Sequence, residues 1–158
     1  MDIFTTHFWK CIGTAILCGS IVGFERQLRG KPAGIRTSIL ICLGTALFIS
    51  LGVEFTNDNS DMTRVLGQVV TGIGFLGAGV ILSREGIVLG VTSAAVVWVL
   101  AATGSLIGFE KYPEALVVTF ITVALLSGIT LLETRMQSLR QGVHAPFEKQ
   151  KKQKDHKK

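Results

Sequence analysis

The residues able to do chemistry in this 158-residue chain stand in small groups where apolar runs begin or end. Glu25 and Arg26 close the first run, and Arg36 and Thr37 open the second. Arg64 and Gln68, four residues apart and so on one helical face, open the third. Thr92 and Ser93 open the fourth, with Trp98 further along it. Helix N-termini present unpaired N–H groups and the positive end of the helix dipole, which favours anions. With Arg26, Arg36 and Arg84 added, the region suits phosphate or carboxylate, and a lipid headgroup is the obvious occupant. The plainer reading is that the arginines orient the protein while Thr92 caps a helix. Glu25 is expected to pair with Arg36 or Arg84.

Other chemistries find little support. A Mg²⁺ path wants several carboxylates or carbonyls at membrane depth, and only Glu25 and Glu54 come close, at opposite edges. An oligomer changes that argument by placing copies of one residue around an axis. His7, His144 and His156 stand apart near the ends, and no nucleophile–base pair or metal-ligand spacing is present, so no enzyme, cofactor or resident metal is expected. Gly72, Gly74 and Gly77 match the dinucleotide fingerprint literally, yet position 97 is valine where an acidic residue is needed and the surroundings are apolar. Together with Gly79 they are expected to pack against neighbouring helices, as small residues do in membranes, or to mark a locally irregular helix whose freed carbonyls line a polar cavity.

The elements that must position these groups are apolar. Residues 8–24, 35–53, 65–82, 91–108 and 115–132 form runs whose only charges are Lys10 and Arg36, each near a start. About 20 such residues at 1.5 Å rise cross a hydrocarbon core of ~30 Å. A mean hydropathy of +0.49 with 17% charged residues agrees. Continuous rather than alternating hydrophobicity excludes a β-barrel. The expected fold is all-α: a polytopic membrane helix bundle of about five transmembrane helices over residues 1–134, followed by a basic cytoplasmic tail at 135–158, partly disordered.

Lys and Arg counts orient the bundle. With the N-terminus outside, 13 of the basic residues fall inside and three (Lys10, Arg64 and Lys111) outside. Positive loops stay cytoplasmic, which predicts N-out/C-in. Asp2 is the only charge before Lys10, so a cleaved signal peptide is not expected. Cys11, Cys18 and Cys42 all lie in predicted spans and read as small core residues. The connectors at 54–64 and 83–90 read as an acidic loop and a tight glycine-bounded turn. Thr71 and Thr103, polar and near mid-span, are expected to satisfy themselves on their own helix backbones.

Three stretches resemble signatures of the MgtC/SapB family of bacterial membrane proteins. The first is Glu25-Arg26 followed by Gly30-Lys31-Pro32-Ala33-Gly34-Ile35-Arg36-Thr37. The second runs from Gln68 through Gly72, Gly74, Gly77 and Gly79 to Leu82, and the third is Val91-Thr92-Ser93-Ala94-Ala95 with Trp98, Ala101, Ala102 and Gly104. The resemblance implies a multi-pass inner-membrane protein tied to magnesium limitation and, in a virulence-associated branch, to intracellular survival. It implies a non-enzymatic regulator of a membrane partner, the F-type ATP synthase among them; the alternative is an ion or Mg²⁺ transporter or channel acting as an oligomer. The lipid bilayer is the expected surrounding, a homo-oligomer is possible, and no nucleic-acid partner is expected. The ACT-like domain that follows the last helix in that branch has no counterpart in the residues after Thr134, so the short form is the nearer comparison. The positions carried over are Glu25, Arg26, Arg36, Thr37, Arg64, Gln68, Thr92 and Trp98, with the four glycines.

Overall fold

A computed structural model describes residues 6–55, 62–84 and 87–135. Five helices follow in order: α1 (Thr6–Leu28), α2 (Ile35–Phe55), α3 (Met62–Val80), α4 (Val91–Gly108) and α5 (Tyr112–Arg135). Each is long and apolar enough to cross a membrane, so the five predicted spans are all present. The connector at 83–90 departs from an all-helical chain. Leu82–Arg84 (β1) and Ile87–Leu89 (β2) pair antiparallel, with Ser83 opposite Val88. The acidic loop at 56–61 and the basic tail from 136 onward lie outside the described residues, as does Gly86 of the expected turn.

Two compact units divide the chain after Val123. In the first, α1, α2 and α4 form the packed centre, and glycine makes the close approaches. A Cβ at Gly19 would stand 2.6 Å from Ile39 Cα, and one at Gly23 equally close to Ile35 Cα. On the other face of α2, Gly104 and Gly108 of α4 lie against Cys42, Thr45, Ala46 and Ile49, with Cys42 O only 2.5 Å from a Cβ at Gly104. In a bilayer helices associate by packing rather than by water exclusion, so these contacts set the core. Residue numbers fall along α1 as they rise along α2 and rise together on α2 and α4, so α2 and α4 begin at one end of the bundle, as expected. The described part of the second unit is the end of α5, residues 124–135, continuous helix.

Several hydroxyls in the spans are satisfied on their own helices. Thr71 donates to Gly67 O at 2.9 Å and Thr103 to Val99 O at 2.9 Å, as anticipated, and Ser105, Thr119 and Thr122 do the same one turn back. Ser50 crosses to Gly108 O, and the Cys42 thiol to Leu100 O, both at 3.4 Å. All three cysteines are free and fully buried, the core role read from their positions.

Both tight ends of the central helices close in the same way. After α1, Gly30 N bonds Gln27 O and Lys31 N bonds Arg26 O, with Gly30 at φ 59°. After α4, Glu110 N bonds Ile107 O and Lys111 N bonds Leu106 O, with Glu110 at φ 62°. The paired bonds are those of a Schellman motif, which requires a left-handed residue, and here the second one is not glycine.

Candidate functional site

Two charged residues in the last turn of α1 are buried, although Gln27 and Leu28 beside them are exposed. Arg26 is 3% exposed and Glu25 7% exposed. They close the first apolar run, and α1 continues through both to Leu28. Arg26 reaches the first turn of α4, where its Nη2 donates to Ser93 Oγ at 2.5 Å. Ser93 is itself 3% exposed. Glu25 is paired with Arg29, one turn further along α1. This corrects the expected partnership with Arg36, which is exposed on α2, and the spacing of four residues makes Arg29 the natural neighbour; the Arg84 side chain lies outside the described ones.

The cluster is not closed. Glu25 Oε2 and Arg26 Nε are buried without a hydrogen-bond partner. The first backbone bond of α4 runs from Ala94 N to Gly90 O at 2.8 Å, so the N–H groups of Val91, Thr92 and Ser93 stand ahead of it. Gly90, the N-cap residue with φ 90°, supplies no side-chain cap. Electrostatically the group holds two guanidiniums for one carboxylate, beside the positive end of a helix dipole. Such a place favours an anion over a cation.

The remaining candidates lie apart from this centre. Thr37 and Gln68 line a groove of about 630 Å³ between α2 and α3, together with Leu40, Gly44, Phe48 and Gly72. Arg64 and Gln68 are both exposed on α3. Thr92 is exposed at the start of α4, next to the buried Ser93. Trp98 is half exposed and borders a second cavity of about 400 Å³ with Val70, Ile73 and Phe109. Of the four candidate glycines on α3, Gly77 faces Ala94 of α4 in ordinary contact, whereas Gly72, Gly74 and Gly79 meet nothing within 4 Å. Packing inside the chain therefore explains Gly77 alone among them. Close packing falls instead on Gly19, Gly23, Gly104 and Gly108.

At the opposite end, His7 is not isolated as its position suggested: its Nε2 lies 2.8 Å from Glu110 Oε1. Among the described residues no three His, Cys, Asp or Glu side chains gather where a metal could be held.

Ser93 and Arg29 are the members of the cluster that the sequence reading did not rank. The buried face of α4 carries Ser93, Val96, Val97, Leu100, Ala101 and Gly104. That helical spacing puts Ser93, and not Thr92, on the inner face.

Five helices long and apolar enough to span a bilayer make this a multi-pass membrane protein, and the family it matches places it in the inner membrane. Residues 12–135 match the model of the MgtC family, and the chain belongs to that family. It is 39% identical over 144 residues to Protein MgtC of Brucella abortus (strain 2308), covering 89% of this chain and 59% of that protein. Protein SrpB of Synechococcus elongatus is 39% identical over 140 residues, covering 80% of this chain and 76% of SrpB. YhiD of Escherichia coli (strain K12) is 40% identical over 136 residues, covering 82% and 63% respectively. The chain thus spans less than two thirds of the length of the Brucella and Escherichia relatives. No solved structure matches it.

Proposed function

We propose that this protein is a non-enzymatic membrane component of magnesium-linked ion homeostasis that acts on a membrane partner rather than conducting Mg²⁺ through its own bundle. The magnesium connection comes from its relatives: YhiD of Escherichia coli carries a name that proposes magnesium transport for it. The regulatory reading rests on one observation. Glu25, the buried carboxylate among the described side chains, is held against Arg29 with Arg26 beside it in sequence. A dication reaching that carboxylate meets more positive charge than negative, and it gains no second carboxylate to replace its hydration shell. Membrane partners, with the F-type ATP synthase first among those the family resemblance suggests, are the objects of regulation. The N-out/C-in orientation belongs to the same proposal and puts Glu25 and Arg26 on the cytoplasmic side.

The test is Mg²⁺ flux in proteoliposomes holding the purified protein, with an Arg36→Gln/Gln68→Ala double variant alongside. The expected result is no protein-dependent flux. Flux that disappears in the double variant overturns the reading in favour of transport by an oligomer.

A further inference from the structure

The open valences of the Glu25–Arg26 cluster specify a ligand more narrowly than "an anion". We propose that the end of the bundle where α1 meets α4 binds a phosphate group carrying its own hydrogen-bond donor, the shared chemistry of a phosphoethanolamine lipid headgroup and of hydrogen phosphate.

Three features converge on this assignment. Arg26 is anchored on Ser93 through Nη2, which holds the guanidinium at the first turn of α4, while its Nε stays buried without a partner. The first-turn N–H groups of α4 face the same end, with no side chain to cap them. Arg26 and these N–H groups together form a donor set for phosphate oxygens, strengthened by the guanidinium charge. The third feature is Glu25, whose Oε2 is an equally buried acceptor with nothing to accept from. A fully ionised group without N–H or O–H would be repelled by that carboxylate. A phosphate with a neighbouring ammonium, or with one P–OH, satisfies the donors and the acceptor at once. Leaving a buried polar group unmade costs more than a typical hydrogen bond contributes, so filling both vacancies is a substantial gain.

Position supports the same ligand. The last turn of α1 and the first turn of α4 are the ends of spanning helices, the level at which a bilayer carries its phosphates. Val91 and Thr92, in the same first turn of α4 as the buried Ser93, are exposed. Arg29, Lys31 and Arg36 stand at this end too and draw anions towards it. A divalent cation fits poorly here for the reason already given.

The experiment uses the purified full-length protein in dodecyl maltoside and pairs probes that differ only in the donor. Phosphatidylethanolamine is compared with phosphatidylcholine of the same acyl chains, and phosphate with sulfate at neutral pH, by native mass spectrometry and thermal stabilisation. Preference for phosphatidylethanolamine over phosphatidylcholine by about tenfold, the scale of one charge-assisted hydrogen bond, identifies a lipid site. Preference for phosphate over sulfate without lipid selectivity identifies the free ion. Glu25→Gln should erode either preference while phosphate binding persists, and Arg26→Gln should remove binding altogether. If Arg26→Gln does not fold, Arg26→Lys takes its place and should weaken both members of each pair alike. A wild-type protein that discriminates in neither pair, or a Glu25→Gln variant that keeps the full preference, overturns the proposal.

Discussion

Arg26 and Ser93 lie 67 positions apart in the chain and are joined by a buried hydrogen bond at 2.5 Å, linking the last turn of α1 to the first turn of α4. The two helices otherwise touch lightly, because α2 lies against both of them through Gly19, Gly23, Gly104 and Gly108. The bond is a polar clasp across the end of an otherwise apolar core. A guanidinium so placed is costly without an acceptor, which makes Ser93 more important than its size suggests.

Ser93→Ala tests the clasp. The substitution fits sterically but leaves the buried guanidinium short of one acceptor, so stability should fall by about 1–3 kcal/mol. Thermal unfolding in detergent, followed by loss of the monodisperse chromatographic peak, measures it. Thr92→Ala, on the exposed neighbour, should shift the transition by no more than about 0.5 kcal/mol. Equal effects of the two substitutions would falsify the clasp.

Glu25 and Arg36 separate in the same assay. Glu25→Gln removes the charge facing Arg29 and should cost on the order of 1 kcal/mol, because the carboxylate is buried while Arg29 keeps partial access to water. Arg36→Gln, on an exposed side chain, should melt like the wild type. Parallel destabilisation by both would restore the Glu25–Arg36 pairing that the sequence suggested.

The glycines divide into two groups with opposite expectations. Gly104→Ala drives a methyl to 2.5 Å from the Cys42 carbonyl oxygen, against backbone that cannot step aside. The cost should reach about 1–3 kcal/mol or more. Gly74→Ala and Gly79→Ala enter open space, and relief of glycine's conformational entropy should leave them neutral or stabilising by up to about 1 kcal/mol. Expression level and melting temperature in detergent distinguish the groups, and an unfolded Gly79→Ala protein is the result that contradicts this division.

Much of the architecture could be read from the residues because a bilayer leaves few choices. A charge-poor run of 17 or more residues has to be a helix, and five such runs gave five helices. The self-satisfying bonds of Thr71 and Thr103 followed from the i−4 carbonyl lying within reach on the same helix. The candidate site was legible in part. Glu25 and Arg26 stood out as charges at a span's edge, but the position of α1's end depends on the Schellman closure at Gly30, which hydropathy does not register. Hydropathy likewise treats Gly74 and Gly104 alike; which of them touches a neighbour depends on how α3 and α4 are rotated. The hairpin at residues 82–89 escaped notice because three-residue strands fall below any periodicity.

The bare side of α3 has a consequence for what surrounds the protein. Gly72 and Gly79 are exposed with nothing within 4 Å of an added Cβ, and the groove beside Gln68 and Gly72 opens a space of about 630 Å³ along the helix. For this span the bilayer is less a solvent than a missing wall. The α2–α3 contact therefore has a space that lipid can fill, and a change of host acyl-chain length is expected to shift thermal unfolding through this pair of helices more than through the glycine-packed centre.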